Sequence, residues 1–331
     1  MASYRLRLLA LLCIGLGFSL LPRVGCACSI CQPGDPLYAS EGASAQPTGA
    51  WSFYLENRHA WKSSAALPHG PEAGGEEHAS DPGDRERSYD RDLTFWTSFT
   101  PLSRLTLSAS VPYRWITIDE EPAGEPSSRG RNRGFGDAAV YGTAVLWRDL
   151  ERSPTAWIEA RAMLKTPTGA SEKSFGGERD PHIQVGTGSW DWGLGLAAAM
   201  RFEQGSVYAS AFYRVNQQGS LDYTYGSAWL ANLVFASHTY ALDALGGLLL
   251  RPGVELNFRY AGKDVASGSL YDSSGGSIVY FTPFVEIPIT PKPEERAPWL
   301  RVAARMPLGD GGLHGHQHEG FVLLIGAGVP F

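Results

Sequence analysis

Apolar and polar side chains alternate along much of the chain with a period of two, the spacing that sends successive residues to opposite faces of a β-strand. The run from Trp190 to Phe202 shows it most clearly. Trp190, Trp192, Leu194, Leu196, Ala198, Met200 and Phe202 share one parity, while Asp191, Gly193, Gly195, Ala197, Ala199 and Arg201 share the other. At about 3.3 Å per residue and a tilt near 40°, such a strand spans roughly 30 Å along a membrane normal, with aromatics near both ends. The next run repeats it, with Val207, Ala209, Ala211, Tyr213 and Val215 opposite Tyr208, Ser210, Arg214 and Asn216. Leu105 to Trp115, Thr155 to Lys165 and Phe321 to Phe331 follow the same rule.

Twelve strands are predicted, over 51–62, 88–99, 104–117, 135–148, 155–166, 189–202, 206–217, 222–236, 248–261, 276–289, 298–307 and 319–331. The connections between them alternate in length. Residues 100–103, 149–154 and 203–205 are short turns, whereas 63–87, 118–134, 167–188 and 262–275 are long and polar. Charges at alternate positions deep inside long strands suit a watered lumen better than a dry sandwich core, where unpaired charge is very costly. The expected fold is therefore all-β, a transmembrane antiparallel β-barrel of about twelve strands with short periplasmic turns and both termini in the periplasm.

The first residues add a compartment. Arg5 and Arg7 precede an apolar stretch from Leu8 to Leu21, which is shorter than the roughly 20 residues a spanning helix needs. Residues 1–27 read as a signal peptide cleaved after Gly25-Cys26-Ala27, 28–50 as a cysteine-containing periplasmic segment and 51–331 as the outer-membrane barrel. Cleavage before Cys26 with lipid attachment is the competing reading. Hydropathy alone would miss a barrel, because each strand is only half apolar. The 39 Gly, 10 Trp, 14 Tyr and 14 Phe, against 19% charged residues, suit a large antiparallel sheet with aromatic anchors. A net charge of −6 argues against a nucleic-acid partner. The expected location is the cell outer membrane, and the expected partners are outer-membrane lipid, the barrel assembly machinery and small solutes.

Several stretches carry a resemblance. Gly134-Phe135-Gly136-Asp137, Lys165-Thr166-Pro167-Thr168-Gly169, Gly186-Thr187-Gly188-Ser189-Trp190-Asp191, Phe281-Thr282-Pro283-Phe284 and Met306-Pro307-Leu308-Gly309 stand at strand ends or within strands. Through them, residues 50–331 resemble the outer-membrane transporter family of the MetA pathway of phenol degradation. That resemblance implies a channel for hydrophobic solutes.

The inward parity selects Glu56, Arg58, Arg114, Glu159, Arg161, Lys165, Asp191, Arg201, Arg214, Glu255, Arg259, Glu286, Arg301 and Arg305 as lumen-lining residues. Basic residues outnumber acidic ones among them, so an open lumen would weakly favour anions. Pairing across the lumen would instead close it. Two further clusters carry potential chemistry. Cys28 and Cys31 could form a disulfide in the oxidising periplasm or bind a soft metal. His314, His316 and His318 could ligate zinc, copper or nickel, or lie in a solvated loop. A transition metal is thus the one cofactor left open. No nucleophile, zinc-protease or phosphate-loop motif is present, and catalysis is not expected. The expectation is a passive outer-membrane channel for small organic solutes. The rival is an envelope metal-binding or electron-transfer-associated barrel built on the Cys and His clusters.

Overall fold

The computed structural model describes residues 47–64, 85–121, 128–151, 154–174, 179–270, 274–289, 297–308 and 318–331. The Cys28 and Cys31 cluster, the signal segment, His314 and His316 lie outside them.

The strands run β1 (Trp51–Ser64), β2 (Arg85–Leu102), β3 (Leu105–Glu121), β4 (Ser128–Phe135), β5 (Ala139–Arg148) and β6 (Ala156–Lys165). They continue as β7 (Asp191–Phe202), β8 (Gly205–Val215), β9 (Tyr223–Thr224), β10 (Ala228–Ser237), β11 (Tyr240–Leu242) and β12 (Leu248–Ala261). The last are β13 (Val265–Ala266), β14 (Ser269–Leu270), β15 (Gly276–Pro288), β16 (Trp299–Pro307) and β17 (His318–Pro330). Each long strand pairs antiparallel with its chain neighbours, and β1 pairs with β17 while β10 pairs with β12. The result is a closed barrel of twelve strands, β1, β2, β3, β5, β6, β7, β8, β10, β12, β15, β16 and β17. Closure matters because lipid offers no partner for an open edge.

The side-chain parity follows the sequence pattern. On β7, Trp192, Leu194, Leu196, Met200 and Phe202 are exposed, whereas Asp191, Gly193, Ala197 and Ala199 are buried. Aromatics gather at both ends of the outer face. Trp51 stacks on Phe99 at 4.6 Å near the termini, and Trp61 meets Phe321 at 5.9 Å at the far rim. The ten residue steps from Trp51 to Trp61, on a tilted strand, rise roughly 25 Å along the membrane normal, the height of an outer-membrane apolar band. Short turns such as Ser103–Arg104 and Glu203–Gln204 lie at the rim of the termini. That rim is the periplasmic one.

The ladder between β1 and β17 is continuous from Ser52–Pro330 to Ala60–Val322. At its end the Trp51 N–H donates to Phe331 O at 3.1 Å and the Phe331 N–H donates to Trp51 O at 2.7 Å, while the rings of Phe331 and Phe53 meet edge to face. Deleting Phe331 removes the last bonds of the closing seam and one girdle ring. The deletion should lower outer-membrane levels and heat-modifiable gel mobility relative to Val322→Ala, and normal assembly of the deletion would contradict the seam's role.

Three boundaries differ from the sequence reading. The segment 118–134, read as a loop, is largely strand. β3 continues to Glu121, and β4 pairs with its upper half from Glu120–Ser128 to Tyr113–Phe135, while β5 pairs with its lower half. A break at residues 136–138 splits the expected 135–148 strand into β4 and β5. β4 carries no apolar alternation because it extends beyond the lipid band, where no lipid selects for it. The expected strand 222–236 begins later, at Ala228, because Leu221 and Asp222 adopt φ of 62° and 52° and turn the chain. β9, β13 and β14 then form a small separate sheet at the far rim.

Candidate functional site

All fourteen charged residues selected by inward parity sit at inward register positions: Glu56 and Arg58 on β1, Arg114 on β3, and Glu159, Arg161 and Lys165 on β6. Asp191 and Arg201 follow on β7, Arg214 on β8, Glu255 and Arg259 on β12, Glu286 on β15, and Arg301 and Arg305 on β16. Glu159 and Asp191 are fully buried, and Glu255 is 1% exposed. Arg201 differs, being exposed near the periplasmic rim with its guanidinium 5.0 Å from the Trp157 ring centroid.

These side chains are organised in groups. Near the far rim, Arg58 Nη1 donates to Asp92 at 2.6 Å, Arg114 Nε donates to the other Asp92 oxygen at 3.0 Å, and Lys62 Nζ donates to Asp90 at 2.5 Å. On the wall formed by β12, β15 and β16, Arg301 pairs with Glu255 and, at 3.1 Å, with Glu286, which also accepts from Arg251 at 3.0 Å. Thr282 Oγ1 and Asn257 Nδ2 extend this group, donating to Asn257 Oδ1 at 2.8 Å and to Glu255 at 3.2 Å. On β6, Arg161 Nε donates to Glu159 at 2.9 Å while its guanidinium lies 5.4 Å from the Tyr208 ring centroid. Taking single charges out of water would be very costly, so pairing is the condition for placing this many inside one barrel.

Sequence reasoning missed Lys62, Asp90, Asp92, Asp137 and Arg251. Asp90 and Asp92 share the parity of Thr94 and Ser98 on β2, a signal present in the sequence. Asp137 stands in the break between β4 and β5, where parity has no meaning. With the three added aspartates set against Lys62 and Arg251, the basic excess on the inner wall narrows.

Aromatic rings share that wall. Trp96, Tyr141, Met163, Phe212 and Leu230 form one buried cluster with Tyr54 against it, and Trp157, Tyr208 and Phe284 belong to another. Arg301 and Arg305 lie over Phe284 and Tyr280, 3.7 Å and 5.4 Å from the ring centroids. The wall therefore offers flat apolar faces between ion pairs, with cation–π contacts joining the two.

The connection from β6 to β7 folds inward at the far rim. Asn132 Nδ2 donates to Ile183 O at 2.8 Å, and Arg114 Nη1 reaches Gln184 O and Val185 O at 3.4 Å. Ile183 and Val185 pack on Ile116 and Ile118 of β3. The segment is fastened where three glycine-bearing stretches meet. Asp137 Oδ1 accepts from the Gly169 N–H at 2.9 Å, and Asp137 Oδ2 accepts from Lys165 Nζ, Thr187 N–H and Thr187 Oγ1, each at 2.8 Å. Lys165 also meets Asp191 at 2.9 Å, and Ser189 Oγ donates to Asp191 at 2.8 Å. Gly169 and Gly186 touch backbone to backbone, so a Cβ on Gly186 would fall 2.6 Å from the Gly169 carbonyl carbon. Gly136-Asp137, Lys165 to Gly169 and Gly186 to Asp191 are thus one junction, with a cavity of about 10 Å³ beside it that has room for one water at most.

A second set of contacts ties the loops above. His182 Nδ1 lies 2.9 Å from Asp180, the Tyr223 hydroxyl lies 3.3 Å from His182 Nε2, and it donates to Asp264 at 2.5 Å. Burial pushes the Asp264 carboxyl up from its usual range against the hydrogen bonds from Tyr223 and the Gly226 N–H. Burial also acts to raise Asp180, but the charge and hydrogen bonds of His182 hold it below the ordinary value.

His318 opens β17, its backbone opposite Ser63. Among the described residues no group of three His, Cys, Asp or Glu is placed to hold a metal ion.

The model of a family described as MetA-pathway of phenol degradation matches residues 89–278, a span containing all three stretches of the junction. Among solved structures, the COG4313 outer membrane channel from Pseudomonas putida F1 is similar in fold, with 18% identity and a TM-score of 0.59 over 88% of this chain and 98% of that one. The CymD monoaromatic hydrocarbon channel aligns with 10% identity and a TM-score of 0.41 over 93% of this chain and 95% of that one. No curated protein matches the chain.

Proposed function

Since the chain belongs to the family described as MetA-pathway of phenol degradation, we propose that it is a passive outer-membrane channel for small organic solutes. The observation that carries this reading is the inner wall, where buried ion pairs alternate with aromatic faces such as Trp96, Tyr141 and Phe212 inside a closed barrel. A small aromatic or weakly polar solute can pass along such faces by exchanging contacts. Among the described residues, 179–189 fold inward at the outer mouth, which favours small solutes over large ones.

The test is single-channel conductance in planar bilayers together with uptake of aromatic acids into liposomes. Expected are a small, steady conductance and a reversal potential displaced towards anions, because basic residues still outnumber acidic ones on the wall. A folded barrel without conductance or solute passage would overturn the proposal.

A further inference from the structure

The outer face carries a feature that transport along the lumen does not use. β4 alternates Arg129, Arg131 and Arg133 with Gly130, Asn132 and Gly134. Asn132 is buried and bonded to Ile183 O, so its parity faces inward and the three arginines face out, where all are exposed. Arg87 and Arg91 take the outward parity of β2 and are likewise exposed.

The register brings these residues together. One row across four strands runs His59, Arg91, Trp115, Arg133; the next runs Trp61, Tyr89, Thr117, Arg131; and above it Arg87, Asp119 and Arg129 stand abreast. Arg91 and Arg133 thus flank Trp115 from either side, about 10 Å apart across two strand spacings. The Arg91 guanidinium lies 4.9 Å from the Trp115 ring centroid, and its Nε donates to Asn57 at 3.2 Å. Among the described side chains Asp119 is the acidic residue at an outward position of β3, and it pairs with Arg129 at 2.6 Å. Arginine remains in excess.

Position decides what the excess is for. The patch begins at the girdle formed by Trp61, Tyr113, Trp115, Phe135 and Phe321 and rises from it at the rim away from the termini. Among the described residues, outward positions of the other barrel strands carry no Lys or Arg. A barrel needing only solubility above the membrane would spread such charge around its rim. A cluster confined to two strands, directly above aromatic rings that meet acyl chains, matches a molecule that is anionic at the headgroup and apolar below it. Guanidinium forks bind phosphate oxygens two at a time.

We propose that the outward faces of β2, β3 and β4 form a binding site for the phosphate groups of a lipid in the outer leaflet, with its acyl chains against Trp115, Tyr113 and Phe135. The folded barrel, purified in detergent, is titrated with diphosphorylated lipid A, with the same lipid stripped of phosphate, and with inorganic phosphate, and bound complexes are counted by native mass spectrometry. The phosphorylated lipid should bind in preference to both other probes, and more weakly at high salt. Arg131→Gln with Arg133→Gln should weaken it about tenfold or more, since each basic residue near an anionic lipid surface adds to the attraction. Arg131→Lys with Arg133→Lys should lose less, and Arg104→Gln, at the opposite rim, should change nothing. If the glutamine variant fails to fold, the lysine variant and the phosphate-stripped lipid still decide. Equal binding of the stripped lipid, equal binding of inorganic phosphate alone, or undiminished binding by the folded glutamine variant would each overturn the site.

Discussion

Leu196→Arg is expected to cost the barrel about 2–4 kcal/mol, the penalty of a guanidinium on the lipid face near the bilayer midplane. Leu196 is exposed on β7, six residues from each of the girdle aromatics Trp190 and Phe202. Its outward ladder partners are Ala160 on β6 and Ala211 on β8. No carboxylate stands beside it to pair with the new charge, and either interface is roughly 15 Å away, farther than an arginine stem can snorkel without thinning the bilayer. Unfolding from vesicles by denaturant measures the loss as a shift in midpoint at constant slope. Gly195 is a poor contrast, because a Cβ there would lie 2.5 Å from the Phe212 ring. Ser210→Arg on the inward face of β8 is the better one, beside Asn232, whose Nδ2 donates to Ser210 Oγ at 3.1 Å. It should cost less than half as much. Equal losses at both positions would mean that residue parity does not define the membrane face.

That prediction rests on what the sequence states most plainly. A period of two is unambiguous where one face meets lipid and the other a polar interior, as on β7 and β8, so most strands and their inward charges can be read directly. The signal fades where that contrast ends. Arg129 to Arg133 form a strand with no apolar face at all, because β4 stands above the band and its pairing with β3 is the only thing that makes it regular. The small sheet of β9, β13 and β14 depends on positive φ at Leu221, Asp222 and Ser267, none of them glycine, and no local pattern announces it. The candidate site divides in the same way. Arg58, Arg114 and Lys165 follow from parity, but their partners Asp92 and Asp137 could be matched to them only once the register was known. The glycine-rich stretches at 134–137, 165–169 and 186–191 were visible as resemblances, yet their physical reason is a tertiary contact. Gly169 and Gly186 are glycine because each lies against the other's backbone.

Asp137→Ala is expected to have the largest effect on transport, since this carboxylate joins β5's entrance, the start of the β6–β7 connection and its return. Its two oxygens accept from Gly169 N–H, Thr187 N–H, Thr187 Oγ1 and Lys165 Nζ. Removing it strands two half-buried N–H groups and leaves Lys165 with Asp191 as its remaining carboxylate. Breaking a buried ion pair from one side costs about 3–5 kcal/mol when the other charge is left alone; Asp191 still balances Lys165, so the loss here is smaller, and each orphaned donor adds to it. The wall itself is held by continuous ladders, so the penalty falls on the junction, and the inward-folded segment should detach before the barrel unfolds. Conductance in planar bilayers should then rise severalfold, with residues 166–174 and 179–190 becoming sensitive to protease in intact vesicles. Asp137→Asn should fall between, because an amide oxygen can still accept from Gly169 or Thr187 but cannot balance the ammonium. Gly186→Val offers an independent route to the same state, since its side chain has no space against Gly169. If both variants keep the wild-type conductance and protease resistance while remaining folded, the segment does not set the width of the outer mouth, and the junction serves the wall alone.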